Sequence, residues 1–101
     1  MDTILERELK MKVLIVEDDE LTSIALNNFV SRCGYDTAVA KSGKEAQKAI
    51  VNEFFDIVLL DIFLPDIMGY ELIPELKKSN PKINIITMTG QNTLQKIRSL
   101  Y

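Results

Sequence analysis

The 101-residue chain contains no histidine, a single cysteine at position 33, three prolines and four glycines. Without histidine or paired thiols it lacks the usual ligand set for zinc or copper, and no disulfide can close within it. Cys33 falls in an apolar helical pattern, where a small buried hydrophobe is the expected role. No apolar run reaches the roughly 18 residues of a membrane span. The opening segment MDTILERELK lacks the basic and apolar regions of a signal peptide. A cytoplasmic protein is the expectation. Twelve basic residues face fifteen acidic ones, a formal charge of -3. With no basic run and no aromatics among the lysines, direct binding to nucleic acid is not expected. Repeats, low-complexity stretches and long linkers are also missing. What remains is one globular domain near the size at which a single core is just adequate.

Within that domain, apolar runs alternate with segments of helical period, the pattern of a parallel sheet with crossover helices. KVLIV (12–16) reads as a buried strand. The following helix opens near Asp19 and Glu20, carries Leu21, Ile24, Ala25, Phe29, Val30 and Cys33 at spacings of three and four, and stops at Gly34. TAVA (37–40) suits a second strand, Ser42 a helix cap, and FDIVLLD (55–61) a third strand. Pro65 and Gly69 mark a turn before a helix carrying Leu72, Ile73 and Leu76, with Pro74 in its first turn. INIITMT (83–89) reads as a fourth strand, and TLQKIRSLY begins another helix. The expected architecture is α/β, a flavodoxin-like doubly wound parallel sheet with about four strands and four helices. Residues 1–10 form an N-terminal extension to a domain spanning 11–101.

The stretch VLIVEDDE sets four apolar residues directly against four carboxylates. In open parallel sheets, ligand groups collect beyond the carboxyl ends of the strands, where the strand order reverses. The first strand delivers Glu17, Asp18 and Asp19 there, the third Asp61, and the fourth Thr89 followed by Gly90. Close carboxylates repel, and without a cation some take up protons. Oxygen-only ligands favour magnesium or calcium, and few carboxylates completed by water suit magnesium. Helix capping offers a plainer reading for one or two of the first three acids. It leaves Asp61 unexplained.

Three stretches, KVLIVEDDE, FDIVLLDIFLPDIMGYELI and INIITMTG, together resemble the receiver domain of two-component response regulators. The resemblance implies that Asp61 is the phosphoacceptor, charged by a histidine kinase or phosphotransfer protein. It implies that Asp18 binds Mg2+ directly, Glu17 through water, and Phe63 through its backbone carbonyl. Thr89 matches the hydroxyl that turns to the phosphoryl group after transfer. The chain would be a phosphoacceptor rather than a stand-alone enzyme.

The chain departs from the family pattern in lacking a fifth strand ending in lysine before proline. Lys82, Lys96 and Arg98 all precede the place where such a strand could begin. The fourth strand is then expected at a sheet edge, inviting a homodimer through that edge, and one side of the first helix is expected to lose cover, leaving Leu26, Val30 or Cys33 partly exposed. An alternative keeps the fold without the switch: a degenerate receiver acting as an interaction or dimerisation module. A haloacid dehalogenase-type phosphohydrolase is disfavoured because Phe63 stands where its second acid is wanted. Flavin binding is disfavoured because EDDE would repel the phosphate.

Overall fold

The computed structural model describes residues 10–88. The expected N-terminal extension, apart from Lys10, and the helix expected after the fourth strand lie outside the described residues. In chain order, the elements are β1 (Lys12–Val16), α1 (Glu20–Arg32), β2 (Asp36–Ala40), α2 (Gly43–Asn52) and β3 (Ile57–Asp61). A 3-10 turn (Gly69–Leu72) then leads into α3 (Ile73–Ser79), and β4 (Asn84–Met88) follows. All strand pairs are parallel, in the order β2-β1-β3-β4. This is the flavodoxin-like arrangement expected, with three of the four helices among the described residues.

Local chemistry sets the element boundaries. The Asp19 carboxylate accepts from the Thr22 N–H at 2.9 Å and caps α1. At the other end Gly34 adopts φ 97°, the left-handed stop that glycine reaches without a Cβ penalty. Ser42 caps α2 by accepting from the Glu45 N–H at 3.1 Å. Pro74 occupies the first turn of α3, where its missing N–H leaves no bond unmade. β3 starts at Ile57, two residues later than its apolar run; just before it, the Asp56 carboxylate accepts from the Lys12 N–H at 2.8 Å.

The chain steps from β1 outward to β2, then returns past β1 to β3 and continues to β4. Helices α2 and α3 pack on one face of the sheet and α1 on the other, as right-handed crossovers in this strand order require. The main core lies on the second face: Leu14, Val16, Val58 and Leu60 from the central strands pack with Ala46, Leu72 and Leu76. Alternation along β1 sends Val13 and Ile15, also buried, toward α1.

Helix α1 departs from its expected packing. Ser23 is its one buried residue, Leu26 and Val30 are half-buried, while Leu21, Ile24 and Phe29 are exposed. Apolar residues surround more of this helix than one stripe, so spacing alone could not identify the packed side. Cys33 is exposed as well: this overturns the buried role its spacing suggested, while the exposure of Leu26, Val30 and Cys33 agrees with the loss of cover expected on this side of the helix. Cys33 stands at the C-cap, past the last helical turn, where the chain turns away toward Gly34.

Asn80 joins α3 to β3 and β4 from a buried position. Its Nδ2 donates to the Phe55 carbonyl at 2.9 Å, and its Oδ1 accepts from the Lys82 N–H at 3.0 Å. Replacing Asn80 with alanine strands a buried carbonyl and is expected to cost about 1–3 kcal/mol in a urea titration. The control Val51→Ala, at an exposed helix position, should stay within about 0.5 kcal/mol of the parent.

Candidate functional site

The site follows from the register of the two central strands. Val16 of β1 lies opposite Leu60 of β3. The next residues, Glu17 and Asp61, therefore leave the sheet side by side. The reversal of strand order falls between the same two strands, so the crevice of this sheet opens where these acids emerge. Glu17 and Asp61 are each only 1% exposed, while Asp18 is half-buried. One oxygen from each of Glu17, Asp18 and Asp61 lies within 4.8 Å of the others.

The four acids of the first loop divide their tasks. Asp19 does not join the cluster: its Oδ2 accepts from both the backbone N–H and the hydroxyl of Thr22, at 2.9 and 2.6 Å. Glu20 forms an exposed ion pair with Lys41 at 3.6 Å. Helix capping thus accounts for Asp19 and leaves Glu17 and Asp18 for the crevice. Glu17 Oε1 accepts from the Asp19 N–H at 3.1 Å. Its Oε2 is buried and meets no hydrogen-bond donor among the described residues. Burial pushes the Glu17 carboxyl up to about 7 against the Asp19 hydrogen bond, with the charges of Asp61 and Asp18 adding to the rise.

Asp61 is fixed by the loop that follows it. The Phe63 N–H donates to Asp61 Oδ1 at 3.2 Å, which sets the rotation of the carboxylate. Phe63 also bridges to Met68 across a tight hairpin, closed by the Gly69 N–H on the Ile62 carbonyl at 2.5 Å and the Leu64 N–H on the Ile67 carbonyl at 3.3 Å. A Cβ on Gly69 would overlap the Asp61 carbonyl oxygen, so only glycine lets the returning chain pass so close. The sequence marks Gly69 as a turn residue; its close approach to Asp61 depends on the folded loop.

The structure thus brings together Glu17, Asp18 and Asp61, with Phe63 beside Asp61. Thr89 lies outside the described residues. Met88 pairs with Asp61 across β3 and β4, one residue before it. Lys82 lies before β4 at the opposite end of the sheet from the acids. Lys96 and Arg98 lie outside the described residues. An orphaned buried carboxylate oxygen among three acids, with no sulfur or nitrogen ligand, fits a hard divalent cation.

A family model described as the response regulator receiver domain matches residues 13–101. The chain belongs to this family. It is 38% identical over 90 residues to the transcriptional regulatory protein YrkP of Bacillus subtilis, covering 88% of this chain and 38% of that protein. It is 31% identical over 81 residues to the DNA-binding transcriptional regulator NtrC of Rhizobium meliloti, covering 80% of this chain and 17% of the relative. The receiver thus spans well under half the length of these curated relatives.

Among solved structures, a CheY-like receiver domain protein from Methanospirillum hungatei superposes with a TM-score of 0.75 at 30% identity, covering 90% of this chain and 74% of the other. A response regulator from Burkholderia pseudomallei gives 0.74 at 25% identity, covering 88% and 55%; that structure holds a phosphorylated aspartic acid and a calcium ion.

The raised Glu17 carboxyl makes the metal-free receiver sensitive to pH. Between the ordinary value of 4.5 and about 7, the folded state holds a proton that the unfolded chain has released. This contribution is present below about pH 4.5 and is lost as pH rises through about 7, on the order of 1–3 kcal/mol. Urea titrations from pH 5 to 8 with a chelator should show Glu17→Gln with a flatter profile than the parent. Excess Mg2+ should restore the parent's stability at the upper end. A parent whose stability rises across this range relative to Glu17→Gln contradicts the assignment.

Proposed function

We propose that this receiver takes a phosphoryl group on Asp61 from a histidine kinase or phosphotransfer protein in two-component signalling. The observation that carries the reading is the buried Asp61 carboxylate at the end of β3, clustered with those of Glu17 and Asp18. Asp61, Asp18 and the Phe63 carbonyl would bind Mg2+ directly, and Glu17 would reach it through water. Bound there, Mg2+ offsets the negative charge of the acceptor and of the phosphoryl oxygens.

The protein's own groups supply position. Asp61 attacks phosphorus through a carboxylate oxygen. As that O–P bond forms, the P–N bond to the donor histidine breaks, and the departing imidazole nitrogen keeps the electron pair and takes up a proton. The Phe63 N–H holds Asp61 Oδ1 and limits the orientations the nucleophile can adopt. The hydroxyl of Thr89 is assigned the response to phosphorylation. The register that pairs Met88 with Asp61 supports this by bringing the chain to the height of the acceptor one residue earlier. Action in the cytoplasm follows from the same signalling role. Among the described residues no helix is long and apolar enough to cross a membrane.

A second copy of the chain is proposed as the partner at the outer edge of β4. No strand among the described residues pairs there, and Asn84, Ile85, Ile86, Thr87 and Met88 carry no charge to discourage edge pairing. Two copies can therefore meet along this edge without like-charge repulsion, and Ile86 is 52% exposed beside it.

Two measurements test these readings. Intact-protein mass after incubation with phosphoramidate and Mg2+ should rise by one phosphoryl group, and Asp61→Asn or a chelator should abolish the gain. Absence of uptake by the folded parent instead supports an interaction module without the chemistry. Sedimentation should show a concentration-dependent dimer that Ile86→Lys dissociates. A monomer at all concentrations, or a dimer indifferent to the substitution, removes the edge assignment.

A further inference from the structure

The hairpin that carries Phe63 is anchored at its tip as well as at its stem. Its tip residue, Asp66, reaches across the fold to the first turn of α2. There the Asp66 carboxylate accepts from the Gly43 N–H at 2.8 Å and from the Lys44 N–H at 2.9 Å. The first N–H groups of a helix lack intrahelical partners and favour negative charge. The two hydrogen bonds hold the Asp66 carboxyl below its ordinary value. A second contact reinforces the first. Ile67 packs over Gly43 so closely that a Cβ there would come within 2.5 Å of Ile67 Cδ1 and Cγ1.

Helix α2 does not depend on Asp66 alone for its cap. Ser42 already serves the Glu45 N–H, whereas Asp66 takes the N–H groups of Gly43 and Lys44. The contribution peculiar to Asp66 is therefore to the loop. β3 holds the stem of the hairpin and α2 holds its tip. Between them stand the Phe63 N–H on Asp61 and the Gly69 N–H on Ile62.

We propose that Asp66 is a positioning residue, which clamps the 62–69 hairpin to the N-terminus of α2 and so holds Phe63 in register with the Asp61 carboxylate. The inference rests on the reading of Asp61 as phosphoacceptor. Releasing the tip leaves Asp61 in β3 and the acids of the first loop untouched, but frees the segment that orients the acceptor. Small displacements of positioning groups can cost large factors in rate.

The test compares Asp66→Ala, Asp66→Asn and Ser42→Ala with the parent, measuring exchange of the Phe63 and Gly69 amides by NMR and phosphoryl uptake from phosphoramidate at saturating Mg2+. Asp66→Ala should raise both exchange rates and slow uptake, each by on the order of tenfold. Asp66→Asn, which retains one accepting oxygen, should fall between it and the parent. Ser42→Ala removes a helix cap without touching the hairpin and should leave both readouts near the parent's.

Unchanged exchange in Asp66→Ala overturns the clamp, as does equal acceleration in Ser42→Ala. Faster exchange with undiminished uptake overturns the positioning role. A folded parent that takes up no phosphoryl group removes the acceptor reading, and the positioning role with it; the exchange data then still decide whether the clamp exists.

Discussion

The site is governed by the burial of carboxylates brought to adjoining ends of two buried strands, and by their mutual repulsion there. Glu17 and Asp61 lie almost fully out of water, with Asp18 close by. In that setting ionised oxygens lose hydration and face one another's charge, so the cluster favours either protons or a cation. The raised Glu17 carboxyl records this conflict in the absence of metal. A divalent cation removes the same conflict while leaving the acids ionised, which is the state a carboxylate nucleophile needs.

Holding repelling groups together requires a rigid frame. The frame is the register of β1 against β3, locked by Leu14, Val16, Val58 and Leu60 in the main core. A shift of one residue in either strand would send these side chains to the opposite face and separate the acids. The loops extend that rigidity beyond the sheet. Asp19 secures the start of α1, and the hairpin after β3 folds back until Gly69 touches the backbone of Asp61. Core packing and electrostatics are therefore coupled: the core's burial free energy holds acids in place that would separate if free.

Much of this was legible before the fold was known, because it rests on short-range patterns. The strands announce themselves as continuous apolar runs, and Asp19, Gly34, Ser42 and Pro74 mark helix ends through local backbone chemistry. That acids of the first loop would gather near Asp61 was also accessible, since an acid directly after a buried strand must emerge at its carboxyl end. Helix α1 was harder. Its apolar residues spread around too much of the circumference to single out a buried stripe, and Ser23 rather than Leu21 or Phe29 lies inside. Cys33 misled for a different reason: its helical spacing extended past the point where the helix ends.

The sequence by itself determined the succession of strands and helices, the acids at the ends of β1 and β3, and the family they resemble, because each depends on residue type and on spacing within a short stretch. Only the tertiary structure decided which acids share a crevice. It assigned Asp19 to Thr22 and Glu20 to Lys41, and left Glu17 and Asp18 to meet Asp61. It also decided that Asp66 binds Gly43 and Lys44, partners 23 and 22 positions away. A carboxylate carries the same charge wherever it stands in the chain. Which donor or neighbour it meets depends on the path the backbone takes through space, and long-range packing sets that path.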